Sequence, residues 1–177
     1  RGGAIWKNES TGAAELSFPN ARYWTNERHW DWANNPNPRE QASFLQENFK
    51  PLQEQGRLEF IDVEQNIEFL PGFRVRFVYG HTEAMMVPVL DTGRATVVYC
   101  ADTMPSQWHI GMPYVMAYDL RPLETMKEKA EILETALQEN QILFFEHDPV
   151  AEACRLARDD RGRIVAGQCG SLAELLA

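Results

Sequence analysis

The sequence contains many short apolar runs of strand length. Phe73–Tyr79 alternates apolar and polar residues, whereas Ala84–Leu90, Ala95–Cys100 and Ile142–Phe145 are almost continuously apolar. Alternation predicts a strand with one wet face, and short continuous runs predict buried strands. A transmembrane helix would need about 20 apolar residues in a row. The pattern therefore predicts a globular domain built around a sheet.

Two longer segments have helical periodicity. Apolar residues recur every three or four positions in Arg39–Gln55, which Gly56 would end, and again in Pro122–Asn140. A shorter helix, Glu27–Ala33, is predicted to begin after Asn26 as its N-cap. Strands grouped with strands and separated by two long helices predict a mixed α/β fold.

The net charge argues against some classes of partner, and the cysteines indicate the compartment. The chain has 26 acidic and 17 basic residues, a net charge of −9, which argues against nucleic acid and anionic membranes as partners. Cys100, Cys154 and Cys169 are odd in number and lack C-x-x-C spacing. We therefore expect no disulfide framework, but either a reducing compartment or free buried thiols, and a cytoplasmic location.

Three polar residues follow predicted strands at the point where each strand ends. His81 follows Phe73–Tyr79, Asp102 follows Ala95–Cys100, and His147 follows Ile142–Phe145. Taken singly, each is compatible with an ordinary surface, turn or core role. Together they form a set of imidazole and carboxylate donors on rigid supports, which suits zinc, iron or manganese. Glu146, beside His147, is either an orienting group or a solvated carboxylate.

The same residues resemble the motifs of a known family. Gly80-His81-Thr82 is similar to the G-H-T motif of the metallo-β-lactamase superfamily, and Asp102 resembles its bridging aspartate. His147 resembles its last histidine. The superfamily's first metal motif, H-x-H-x-D-H, is typically followed by x-G-G, and this chain opens with Arg1-Gly2-Gly3. The chain therefore resembles the C-terminal part of such a protein, without that first motif.

The resemblance implies a fold, a metal centre and a reaction. The fold would be an incomplete αβ/βα sandwich, with residues 1–177 forming one domain that lacks its N-terminal portion. His81 would bind one divalent metal, His147 the second, and Asp102 would bridge them, with zinc expected and manganese or iron as alternatives. A metal-activated hydroxide would hydrolyse an ester, lactone or phosphotriester. The absent segment or another chain would complete the site, so residues 1–177 alone are expected to be inactive.

The branch and the role are open to alternatives. Lactonases of this superfamily often place a tyrosine three residues after the bridging aspartate, where this chain has Pro105. That departure and the long helix favour a methyl-parathion-hydrolase-like branch over a lactonase. A different class of function is a non-catalytic binding or assembly subunit with a degenerate metal site.

Aromatic residues near these motifs predict an apolar pocket. Candidate pocket residues are Trp24, Trp108, His109 and Tyr114. No Arg or Lys lies between Cys100 and Leu120, so we expect a small, neutral, apolar substrate. The segment after Asp102 could equally form a homodimer contact.

Overall fold

The computed structural model describes residues 3–63 and 68–177 and divides them into two units, one in each range. Arg1 and Gly2, on which the motif comparison drew, lie outside the described residues, as does Ile67. That the whole chain is one domain remains a prediction.

The N-terminal unit contains two small sheets and two short helices. Its elements are β1 (Ile5–Lys7), β2 (Ala14–Leu16), β3 (Tyr23–Thr25), α1 (Glu27–Asn34), α2 (Lys50–Glu54) and β4 (Leu58–Phe60). The β1–β2 pair is antiparallel and the β3–β4 pair is parallel. The predicted N-cap is confirmed, because the side-chain oxygen of Asn26 accepts a hydrogen bond of 2.8 Å from the His29 amide.

The long helix predicted over Arg39–Gln55 is wrong. Only a 3₁₀ turn at Gln46–Asn48 and the five residues of α2 are helical there. The amides of Arg39 and Glu40 bond to the Asn37 side chain, which favours a turn at the start. Pro51 has no amide hydrogen, so it is tolerated in the first turn of α2 but would break a longer helix.

The C-terminal unit is built on a seven-stranded mixed sheet. Its strands are β5 (Glu68–Leu70), β6 (Phe73–Val78), β7 (Met85–Asp91), β8 (Thr96–Tyr99), β9 (Ile142–Phe144), β10 (Ala153–Arg158) and β11 (Ile164–Gly170). Their spatial order is β11-β10-β9-β8-β7-β6-β5. Because β7 is antiparallel to β6 and β8, and β8 is parallel to β9, the strands β6, β8 and β9 all run in one direction.

The helix α3 (Pro122–Gln138) confirms the second predicted long helix. Its fully buried positions are Thr125, Lys129, Ile132, Leu133 and Ala136. Several of these pack in a core with side chains of the sheet, including Val78, Val98 and Leu143. A last helix, α4 (Leu172–Leu176), begins with a capping box in which Ser171 and Glu174 bond each other's backbone.

The cysteines correct the expectation of three free thiols. Cys154 and Cys169 face each other across β10 and β11, with Cα atoms 4.1 Å apart, and form a disulfide. Fifteen residues and a hairpin turn separate them, so sequence spacing alone hides the pairing. Cys100 is free and buried. The cysteines therefore do not favour a reducing compartment, and a cytoplasmic location stays a prediction.

Within the described ranges, no helix has both the length and the apolar composition needed to cross a membrane.

Candidate metal centre

The three strand-end residues lie close together in the C-terminal unit. Because β6, β8 and β9 run in one direction, their carboxyl ends meet at one edge of the sheet. Nε2 of His81 lies 3.3 Å from Oδ2 of Asp102, and Nε2 of His147 lies 3.4 Å from Oδ1 of Asp102. The carboxylate of Asp102 therefore stands between the two imidazoles.

His81 is oriented by Asp119, a residue that the sequence patterns do not single out. Nδ1 of His81 lies 2.9 Å from Oδ1 of Asp119, whose side chain is fully buried. Burial alone would lower the pKa of His81, but Asp102 and Asp119 outweigh it and raise the pKa to about 9. The contact at Nδ1 directs Nε2 toward Asp102, which is how carboxylates orient metal-binding histidines.

Asp102 is held in place by a constrained backbone. It belongs to a short 3₁₀ turn after β8, and the preceding residue, Ala101, has a left-handed φ of 44°. A non-glycine residue rarely adopts that conformation unless its surroundings impose it. The neighbouring His81, with a smaller contribution from His147, holds the pKa of Asp102 below its usual value. Oδ1 of Asp102 is buried and accepts no hydrogen bond from the described residues.

His147 brings a second carboxylate to the site. Oε1 of Glu146 lies 3.2 Å from Nε2 of His147, and Oε2 of Glu146 accepts a hydrogen bond from the Tyr99 hydroxyl. Burial and this hydrogen bond raise the pKa of Tyr99 above its usual value, so the phenol keeps its proton. The His147 amide donates a hydrogen bond to the Pro105 carbonyl, which ties the backbone of His147 to the segment after Asp102.

Gly80, directly before His81, is required by close packing against α3. A Cβ at this position would lie 2.3 Å from the Thr125 amide nitrogen, and Glu128 accepts hydrogen bonds from the amides of Tyr79 and Gly80. The residue that fixes His81 at the sheet edge therefore has to lack a side chain.

Gly80→Ala is expected to lower the free energy of unfolding by about 2 kcal/mol, because backbone must move to admit the methyl group. Denaturant unfolding of the chain measures this. The control is Gly93→Ala, which meets no atom within 4 Å but has a φ of 74° and should cost only about 1 kcal/mol. An unchanged unfolding midpoint for Gly80→Ala would contradict the packing argument.

Three of the four predicted pocket residues lie in the C-terminal unit, on the segment that follows Asp102. Trp108 and His109 belong to a 3₁₀ turn, Gln107–Ile110, and the Tyr114 side chain is exposed. Trp24 lies on β3 of the N-terminal unit and is half-buried. That these four residues line a substrate pocket remains a prediction.

Lys129 reaches the same segment from α3, which sequence reasoning missed. Its Nζ lies 2.7–3.1 Å from four backbone carbonyls, those of His109, Gly111, Met112 and Tyr114. A cation therefore lies beneath this segment although its sequence contains none. Because these carbonyls engage all three ammonium protons, the cation holds the segment in place.

Solved structures of known proteins have a similar architecture. No family model and no curated protein matches the chain. Among solved structures, a probable metal-dependent hydrolase from Staphylococcus aureus has a TM-score of 0.73 at 21% identity, over 86% of this chain and 55% of that one. The hydrolase AbOPH of the beta lactamase superfamily has a TM-score of 0.70 at 19% identity, over 89% and 57%. The chain has part of the metallo-β-lactamase fold.

The metallo-β-lactamase fold agrees with the mixed α/β class expected from the sequence. AidC, a dizinc quorum-quenching lactonase, is also similar, with a TM-score of 0.64 at 19% identity over 87% of this chain and 57% of that one. The chain thus spans a little over half the length of these structures. At these identities the likeness concerns the fold alone.

Proposed function

We propose that this chain carries the metal-binding edge of a dinuclear, metal-dependent hydrolase that acts on a neutral ester, lactone or phosphotriester. The observation that carries the proposal is the position of Asp102. Its two carboxylate oxygens lie 3.3 and 3.4 Å from Nε2 of His81 and of His147. A carboxylate that bridges two metals needs a further ligand on each side, and this arrangement supplies one on each side.

The distances between these side-chain atoms fit neighbouring ligands of a divalent metal better than they fit direct hydrogen bonds. Neighbouring ligands of a tetrahedral zinc lie about 3.4 Å apart when each is about 2.1 Å from the metal. Charge-assisted hydrogen bonds would be shorter, about 2.7–2.9 Å. The buried Oδ1 of Asp102, which accepts no hydrogen bond from the described residues, is the kind of atom that a cation would satisfy. Imidazole and carboxylate together suit zinc, with manganese or iron as alternatives.

The side chains at and beside this centre have separate roles in the proposal. Divalent metals held by His81, Asp102 and His147 would supply an activated water at neutral pH and polarise the substrate's oxygen. Asp119 orients the His81 ring so that Nε2 faces the centre. The segment of Trp108 and Tyr114, held by Lys129, offers apolar surface to a leaving group.

The remaining ligands belong to the proposal as well. The resemblance to H-x-H-x-D-H proteins leads us to expect them from outside residues 1–177. Residues 1–177 alone should then bind metal weakly and turn over substrate poorly. Pro105 and the long α3 favour the methyl-parathion-hydrolase-like branch. The similarity to AbOPH and to AidC agrees with either branch.

The substrate's charge gives a direct test. In the intact, zinc-loaded protein, an uncharged aryl ester or phosphotriester should have at least about 10-fold higher kcat/KM than an anionic analogue with the same leaving group. The reason is that Lys129, the cation beneath the segment of Trp108 and Tyr114, is already occupied by four carbonyls. A higher kcat/KM for the anionic substrate would contradict the proposed substrate class. Bound metal without turnover of either substrate would favour the non-catalytic alternative.

A further inference from the structure

Glu146 lies beside Asp102 and His147 but has no role in the function proposed above. Ligand atoms of Asp102, Glu146 and His147 all lie within 4.8 Å of one another. His81 contacts the other oxygen of Asp102 and is not a member of this group. The donors described in the chain are therefore unequal on the two sides of Asp102, with an additional carboxylate on the His147 side.

We propose that Glu146 is a metal ligand on the His147 side of the centre and that Tyr99 is the positioning residue that holds its carboxylate. This inference rests on the proposed function, because it assigns a further ligand to the same centre. It adds a residue that the motif comparison does not supply: the motif ends at His147, and the carboxylate lies one position before it.

The distances support ligation rather than a simple ion pair. Oε1 of Glu146 lies 3.2 Å from Nε2 of His147, close to the separation of neighbouring ligands on a tetrahedral metal. The same His147 nitrogen lies 3.4 Å from Oδ1 of Asp102, so two carboxylate oxygens and one imidazole nitrogen face a common point. A surface ion pair between adjacent residues would contribute little and would need no third group.

Tyr99 explains how the Glu146 carboxylate is fixed. Its register partner across the parallel β8–β9 pair is Phe144, two residues before Glu146, and the two rings pack with centroids 5.9 Å apart. The Tyr99 hydroxyl donates to Oε2 of Glu146, which leaves Oε1 to face His147. Partners of this kind orient metal-binding carboxylates, and their loss typically costs about 10–100-fold in metal affinity.

The test is a Co(II) titration of the intact protein, followed by the visible absorption of the bound ion and by equilibrium dialysis. We expect Glu146→Gln to weaken Co(II) binding by at least about 10-fold and to change the absorption spectrum, because a ligand is lost. Tyr99→Phe keeps the ring on Phe144 and removes only the hydroxyl, so it should weaken binding by about 10-fold with a smaller spectral change.

The control is Glu131→Gln on α3, an exposed carboxylate paired with Arg76, which should leave affinity and spectrum unchanged. Thermal unfolding of each variant checks that it is folded. If the wild-type chain binds Co(II) and Glu146→Gln binds it equally well with the same spectrum, the role of Glu146 is overturned while the proposed function stands. If the intact wild-type protein binds no Co(II) at millimolar concentration, both are overturned.

Discussion

Asp102→Asn is expected to remove the metal centre while leaving the fold intact. Asparagine has nearly the shape of aspartate, so packing after β8 should survive, but it offers one neutral oxygen in place of two charged ones. Since outer-shell changes alone cost about 10–100-fold, loss of a bridging ligand should lower kcat/KM of the intact protein by more than about 100-fold. Zinc bound per chain should fall as well.

A second strand-end aspartate provides the matched control for this variant. Asp91 ends β7, is exposed, and accepts a hydrogen bond from the Gly93 amide. Asp91→Asn should leave zinc content and kcat/KM unchanged within about 2-fold, because surface substitutions of this kind act little beyond their own turn. Zinc content of Asp102→Asn within a few-fold of the wild type would show that Asp102 does not bridge metals.

The strand ends could be predicted because their signals are local. The apolar run that precedes each of His81, Asp102 and His147 predicts a strand. Because these three strands run in the same direction, their carboxyl ends lie at one edge of the sheet. The wrong helix over Arg39–Gln55 shows the limit of periodicity. Its apolar spacing was helical, but Asn37 and Pro51 imposed a turn and a late helix start.

Other parts of the site depend on contacts between distant residues, which no local pattern encodes. Asp119 bonds to His81 across 38 positions, and Tyr99 bonds to Glu146 across 47. Their partners are set by the packing of the sheet and the loops that follow it. A carboxylate in a loop is usually solvated, so the sequence alone assigns a site role to neither Asp119 nor Glu146.

Lys129 left a trace in the sequence that periodicity could have detected. With Thr125, Ile132 and Ala136 it follows the spacing of the buried face of α3, so a lysine occupies a core position. Of the apolar positions of this helix, Leu133 is buried, whereas Met126, Ala130 and Leu137 are half-buried. A fully buried lysine requires polar partners, and the four carbonyls of the segment after Asp102 provide them.

Burial affects the charge of Lys129 as well as its contacts. Desolvation lowers the pKa of Lys129 from 10.5 to about 8, and Asp119 opposes this effect. The ammonium form therefore persists at pH 7. Because the pKa is lower in the folded chain than in the unfolded one, the unfolded chain binds more protons between about pH 8 and 10.5. The contribution of Lys129 to the free energy of unfolding should then rise with pH in that window.

Lys129→Met should lower the free energy of unfolding by about 3 kcal/mol at pH 7, because methionine fills the space but leaves four carbonyls without their donor. Denaturant unfolding measures the loss. The control is Lys127→Met on the same helix, an exposed lysine paired with Glu124, which should change stability by less than about 0.5 kcal/mol. The gap between wild type and Lys129→Met should widen from pH 8 to 10.5, since only the wild type carries this titrating group. Equal midpoints for both variants at pH 7 would mean that the segment after Asp102 does not depend on Lys129 for its position.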